Sequence, residues 1–316
     1  MTDPASIAIA QLSDLHLCPL DGVNIHAFLN KRILGYLSWR LYRRRGHADK
    51  IQDALLQDLQ VTKPDHIVIT GDLTHLGLPG QYRTAFQLLQ ALGPPSRVTV
   101  IPGNHDTYVK EPWENTLALW LPYMASDSYH LPSETELQPG RVFPSLRVRG
   151  QAAIIGISTA QPSAPTLATG SIGAPQLQSL KKILQATGRR RLFRMILIHH
   201  PPVPGIVPRR KRLTDAAAFG SVVKGCGAEL VLHGHIHRSS FKQIATDRGD
   251  TPVISVPSTL ALSRKPERHA KYHIYHLTPT AQGWDVRLAI HGYSVSENRF
   301  SRLGELQSLP SPQPSG

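Results

Sequence analysis

Cysteine is nearly absent from this chain. Two thiols, Cys18 and Cys226, among 316 residues cannot build a disulfide framework, and their scarcity fits a reducing compartment. Long apolar runs are missing too: none approaches the ~18 residues that a membrane-spanning helix needs. The opening stretch, MTDPASIAIAQLSDLH, has neither a basic segment nor a long apolar one, so no export signal is visible and a cytoplasmic location is expected. Acidic residues are few. Asp and Glu total 22 against 35 Lys and Arg, a formal net charge of +13, which predicts attraction to polyanions: nucleic acid, an anionic membrane face or a phosphorylated substrate. Several catalytic signatures are also lacking: there is no Gly-x-x-x-x-Gly-Lys, Gly-x-Gly-x-x-Gly, His-Glu-x-x-His or Gly-x-Ser-x-Gly.

What is present reads as an ordinary globular chain, 41% hydrophobic and 18% charged, with strand and helix patterns in alternation. Residues 6–12, 66–70, 97–102, 152–158, 193–198 and 228–232 are short apolar runs with the look of buried strands. Helical spacing appears between them at 48–60, at 79–92 behind Pro79, at 174–186 and at 215–227. That order predicts an α/β layered sheet. Toward the C-terminus, 251–257, 271–277 and 284–290 read as strands with little helix between them. A single domain over residues 1–303 is expected, carrying a basic amphipathic insertion at about 25–46 and an irregular one at about 107–150. A Pro- and Ser-rich tail over 304–316 is expected to be disordered.

The sixteen histidines are not scattered. Asp14-Leu15-His16, Gly71-Asp72, Gly103-Asn104-His105-Asp106, His199-His200-Pro201 and Gly234-His235-Ile236-His237 each follow an expected strand. The rim outside the C-terminal ends of strands is where open α/β sheets hold ligands. Any one set could be a polar turn, since Gly, Asn and Asp tolerate left-handed backbone; five in this order point to a metal site. The donors are Asp, Asn and His with no thiolate. Such a mixed oxygen and nitrogen set suits divalent Mn, Fe, Co, Ni or Zn better than Ca or Mg. There are too many donors for one ion, and a carboxylate is the natural bridge between two.

This motif series, spanning residues 14–237, resembles the calcineurin-like metallophosphoesterase superfamily. The resemblance implies a four-layer α/β/β/α sandwich, mixed sheets flanked by helices, with a dinuclear metal centre at the sheet edge. It implies that Asp14, His16 and His237 hold one ion, that Asn104, His199 and His235 hold the other, and that Asp72 bridges them. His105 would stabilise or protonate the leaving oxygen, with Asp106 as its orienting partner. Either of two adjacent histidines could serve in the fourth motif; the His-x-Pro spacing selects His199 over His200. The chemistry implied is attack on phosphorus by a hydroxide held between the two ions.

Substrate is less legible. Pro257-Ser258-Thr259 resembles a segment of the superfamily's bacterial cyclic-nucleotide phosphodiesterases, favouring a small phosphodiester or nucleotide-like substrate. The insertion NIHAFLNKRILGYLSWRLYRRRGH aligns Leu29, Ile33, Leu34, Leu37 and Leu41 on one stripe, with Lys31 and Arg32 off it and Arg43-Arg44-Arg45 at its end. Two readings stand for residues 26–45: packing on the core, or contact with an anionic membrane surface at the inner face, which would suit a lipid or glycolipid pyrophosphate substrate. The superfamily's lipid A pathway hydrolases usually carry Gly-Asn-Arg-Asp where His105 stands here. The runs Arg189-Arg190-Arg191 and Arg209-Arg210-Lys211-Arg212 permit a nuclease, although no nucleic-acid recognition module is visible. A non-catalytic binding scaffold on the same fold is the alternative outside enzymology, and oligomeric state is not legible.

Overall fold

The structure is a computed structural model that describes residues 6–19, 31–33, 36, 48–127, 142–306 and 309. Most of the expected amphipathic insertion (25–46), residues 128–141 of the expected irregular insertion, and the tail apart from 304–306 and Leu309 lie outside the described residues.

Two six-stranded mixed sheets form the centre. In the first, β1 (Ile7–Leu12), β2 (His66–Ile69) and β3 (Val98–Val100) run parallel. On the other side of β1, the antiparallel strands β10 (Lys271–Thr280), β11 (Gly283–Ser294) and β12 (Arg299–Leu306) complete the order β12-β11-β10-β1-β2-β3. The second sheet places β5 (Ala152–Gly156), β6 (Phe193–Leu197), β7 (Leu230–His233) and β9 (Gly249–Ser255) parallel. Antiparallel edges β4 (Ser145–Arg149) and β8 (Ser240–Thr246) flank them in the order β4-β5-β6-β7-β9-β8.

Alternation along each strand divides its side chains between two cores. From β1, Ile9 enters the layer between the sheets while Ala10 and Leu12 face helices. From β6, Phe193, Met195 and Leu197 enter the inter-sheet layer while Ile196 faces helices. Both faces being buried, these strands are largely apolar, with Gln11 in β1 and Arg194 in β6 as buried exceptions. The first sheet is covered by α1 (Ala48–Thr62) and α2 (Pro79–Leu92), with a short α3 (Leu121–Met124) beside them; the second is covered by α4 (Ala174–Arg189) and α5 (Ala216–Cys226). Leu177, Leu180, Ile183 and Leu184 form the buried stripe of α4 at helical spacing, each contributing roughly 1.5–3 kcal/mol by leaving water. The result is the α/β/β/α layering.

Three strands carry no signal in the apolar pattern. β8 and β12 are mostly exposed edges, and β12 runs to Leu306, three residues into the stretch expected as tail. β4 lies inside the stretch expected to be irregular. Its Arg147 is buried and donates to the carbonyls of Pro95, Val98, Pro122 and Ala125, so a cation fills the buried face opposite Leu146 and Val148.

Candidate metal centre

Parallel strands leave their C-terminal ends on one edge, and five loops meet there. Asp14 and His16 follow β1, Asp72 follows β2, Asn104 and His105 follow β3, His199 follows β6, and His235 and His237 follow β7. The ligand atoms of Asp14, His16, Asp72 and His237 lie within 4.8 Å of one another, as do those of Asp72, His199 and His235. Asp72 belongs to both groups. Its Oδ2 is 3.8 Å from His16 Nε2 and 3.3 Å from His199 Nε2, while Oδ1 accepts the His105 amide at 2.8 Å. His237 Nε2 is 3.2 Å from Asp14 Oδ1 and 3.0 Å from His16 Nε2. Asn104 Oδ1 is 3.3 Å from His199 Nε2.

Local backbone explains how these side chains turn inward. Nine non-glycine residues among those described have left-handed φ, and five are Asp14 (52°), His16 (49°), Asp72 (57°), His235 (70°) and His237 (49°). Such conformations cost roughly 1 kcal/mol or more each and concentrate where function requires them. Close approach then demands glycine at two neighbours. A Cβ on Gly103 would stand 2.2 Å from Asp72 Oδ1, and one on Gly234 would stand 2.2 Å from Ser13 Oγ and 2.7 Å from Asp14 Oδ2. The Pro257-Ser258-Thr259 segment braces the first loop. Ser258 Oγ donates to the Asp14 carbonyl at 2.6 Å, and Thr259 Oγ1 accepts the Ser13 amide at 3.1 Å.

Three of the imidazoles are aimed by the bond that the far nitrogen makes. His199 Nδ1 donates to the Thr70 carbonyl (2.7 Å), presenting Nε2 to Asp72. His235 Nε2 donates to the Lys211 carbonyl (3.0 Å), leaving Nδ1 for the site. His105 Nδ1 donates to the His75 carbonyl (2.6 Å). His200, the alternative in the fourth motif, turns away: its Nδ1 meets Thr159 Oγ1 at 2.7 Å and its Nε2 donates to the Ala168 carbonyl at 3.2 Å. Of the two, His199 is the one that lies beside Asp72.

Asp106 differs from expectation. Rather than orienting the His105 ring, its carboxylate accepts the amides of Leu73, Thr74 and Gly103 and the Thr74 hydroxyl. It locks the loop after β2 to the loop after β3, and the His75 carbonyl supplies the bond to His105. His75 itself is absent from the sequence reading. Its ring stacks on His105 with centroids 5.3 Å apart, and its ligand atom lies within 4.8 Å of those of His16 and His105. The signal available was the Asp72-x-x-His75 spacing.

Electrostatics favour cations here. Burial would raise the Asp72 carboxyl, but the His199, His105 and His16 charges outweigh it and hold it well below the ordinary range; Asp14 is lowered against the same burial, chiefly by His237. His199, although burial opposes its charge, is pushed up to about 9 by Asp72 and Asp14. Burial together with His200 and His199 drives His235 well below its ordinary value, toward the neutral form a metal ligand needs. Ligands about 2.1 Å from a common ion stand about 3–3.5 Å apart, which fits His199 Nε2 at 3.3 Å from Asp72 Oδ2 and His237 Nε2 at 3.2 Å from Asp14 Oδ1, while His16 Nε2 stands wider, at 3.8 Å from Asp72. With two buried carboxylates, an amide oxygen and four imidazoles in two groups sharing one oxygen, the residues fit two divalent ions.

A family model described as calcineurin-like phosphoesterase matches residues 7–239. The chain belongs to that family. The phosphoesterase is 28% identical over 207 residues to a cAMP/cGMP dual specificity phosphodiesterase of Mycobacterium tuberculosis, covering 64% of this chain and 58% of that relative's length. It is 26% identical over 303 residues to a Synechococcus protein named "Probable cyclic nucleotide phosphodiesterase", covering 95% of this chain and 97% of the other. Among solved structures, a dimetal phosphatase from Danio rerio shares the fold, with TM-score 0.56 and 14% identity over 96% of this chain and 99% of that one.

Proposed function

We propose that this phosphoesterase is a dinuclear-metal phosphodiesterase acting on a small phosphodiester or nucleotide-like substrate. The observation that carries the reading is Asp72 Oδ2 facing His16 on one side and His199 on the other, with the His105 backbone held on Oδ1. In this reading Asp14, His16 and His237 would hold one ion, Asn104, His199 and His235 would hold the second, and Asp72 would serve both. When bound, two divalent ions supply Lewis acidity for the phosphoryl oxygens and lower the pKa of the attacking water. The chain's residues do the rest. Thr70 and Lys211 carbonyls fix the ligand imidazoles, Ser13 and the His235 amide hold Asp14, and burial keeps competing water from the carboxylates. With Nδ1–H donated to the His75 carbonyl, His105 carries a proton on Nε2 for the departing oxygen when the ring is the imidazolium. The relatives named as cyclic nucleotide phosphodiesterases support a diester over a monoester.

No helix among the described residues is long and apolar enough to cross a membrane. The membrane reading of residues 26–45 rests on residues mostly outside those described. Of those inside, Arg32 is buried, donates to the Leu76 and Gly77 carbonyls and pairs with Glu111 at 3.0 Å. Lys31 sits 4.4 Å above the Tyr108 ring and donates to the Ser163 carbonyl at 2.8 Å. Both engage the body of the protein, so the diester reading stands without a lipid surface. The test is hydrolysis of bis-p-nitrophenyl phosphate beside p-nitrophenyl phosphate with Mn, Fe, Co, Ni and Zn supplied separately. Diester turnover is expected; turnover of the monoester alone would replace the reading with a phosphatase.

A further inference from the structure

The loop after β6 carries Arg209, Arg210, Lys211 and Arg212 as a single exposed turn. A run of cations on a surface loop is ordinarily solvated and mobile. This one is built into the wall of the metal centre. The Lys211 carbonyl accepts His235 Nε2 at 3.0 Å, so the turn's backbone touches a candidate ligand directly. Arg238, next to His237, donates to the Ile206 carbonyl of the same loop at 3.3 Å. On the far side, the Arg210 and Arg212 carbonyls accept the Ala168 and Gly170 amides at 2.9 and 3.1 Å, and buried Leu213 anchors the end of the turn in the helix-side core. The backbone that carries these four exposed cations is thereby fixed at the rim.

No ion pair among the described residues engages Arg209, Arg210 or Arg212. The carboxylate that follows in sequence, Asp215, is occupied by Ser171 Oγ and the Ile172 and Gly173 amides. Guanidinium forks are suited to phosphate oxygens.

We propose that the Arg209–Arg212 turn is a second anion subsite that selects substrates bearing a further phosphate beyond the scissile diester. This rests on the phosphodiesterase reading and narrows its substrate class. A cyclic mononucleotide, with one phosphate, leaves the turn unengaged; a phosphorylated dinucleotide or longer phosphate-bearing chain reaches both the metal centre and the turn.

The experiment compares thymidylyl-thymidine with its 5′- and 3′-phosphorylated forms, which keep the scissile diester and add one phosphate. Wild-type kcat/KM should favour one phosphorylated form by about tenfold at low salt, with the preference fading as NaCl rises. The Arg209→Ala/Arg210→Ala protein should lose that preference while its turnover of thymidylyl-thymidine and bis-p-nitrophenyl phosphate stays within about twofold. Lysine at both positions should restore part of it. Calorimetry on metal-free protein gives a second readout: thymidine 3′,5′-bisphosphate should bind more tightly than thymidine 5′-monophosphate, and the double variant should bind the two alike. Equal treatment of both ligands by wild type, or an unchanged preference in the double variant, overturns the proposal. A binding preference in a protein that turns over no diester with any metal would keep the subsite and remove the phosphodiesterase reading. Diester turnover without preference would do the reverse.

Discussion

Asp72 serves two loops with one carboxylate, Oδ1 taking the His105 amide and Oδ2 facing two histidines. Asp72→Ala should therefore lower bound metal to at most one ion per chain, read by elemental analysis after gel filtration, and abolish diester turnover. His105 is different in kind, because its ring is oriented by the His75 carbonyl and its backbone, not its side chain, holds Asp72. His105→Ala should keep both ions and lower kcat by roughly 10²–10⁴-fold; loss of metal in that variant would show it to be a ligand instead. Gly234 tests the backbone's part. A methyl group there meets Ser13 Oγ and Asp14 Oδ2, so Gly234→Ala should displace Asp14, weaken one metal site and destabilise the fold by about 1–3 kcal/mol. The residues that meet at this edge were legible in the sequence because Asp, Asn and His cluster after apolar runs. The bonds that aim them were not: Thr70, His75 and Lys211 contribute backbone carbonyls, and a carbonyl leaves no trace in residue identity.

Secondary structure was legible wherever burial is regular. α1 places Ile51, Leu55 and Leu59 in its core, the residues that its spacing picks out, and the parallel strands announce themselves as apolar runs bounded by Gly, Pro or Asp. The exposed edge strands β8 and β12 were not legible, since they expose most of their side chains and need no apolar alternation. Buried charge hid other features. Within β6, Arg194 is 2% exposed and its guanidinium meets Glu229, itself 4% exposed, through Nε–Oε2 (2.9 Å) and Nη2–Oε1 (2.6 Å). A third bond, from Nη1 to the Cys226 carbonyl, ties β6 to the end of α5. Removing one partner strands the other in a dry site, so Glu229→Ala should cost about 3–5 kcal/mol in urea unfolding. The double change Arg194→Met/Glu229→Leu should recover much of that loss; an equally unstable double variant would show that the pair matters for packing rather than charge.

At the level of the whole molecule, buried neutral histidines make stability depend on pH. Burial, reinforced by Arg149 and Arg147, lowers His66 to about 3, and burial with Lys271 lowers His273 to about 3, each from an ordinary 6.5. Below pH 6.5 the unfolded chain takes up protons that the folded chain refuses, so stability falls as pH drops from about 6.5 toward about 3. The slope is up to about 1.4 kcal/mol per pH unit for each residue. Replacing His273 by Gln should flatten the stability profile between pH 6.5 and 4 by up to that amount, measured by denaturant titration; a parallel profile would remove His273 from the account. The same sandwich brings the ends of β1, β2 and β3 to those of β6 and β7, and this convergence places Asp72 in both candidate metal-holding groups. The most direct test titrates Mn(II) into metal-free protein while following bis-p-nitrophenyl phosphate hydrolysis. Turnover should require two equivalents per chain and be absent from Asp72→Ala at any concentration. Full activity at one equivalent, or activity in the Asp72→Ala protein, would contradict the shared two-ion centre.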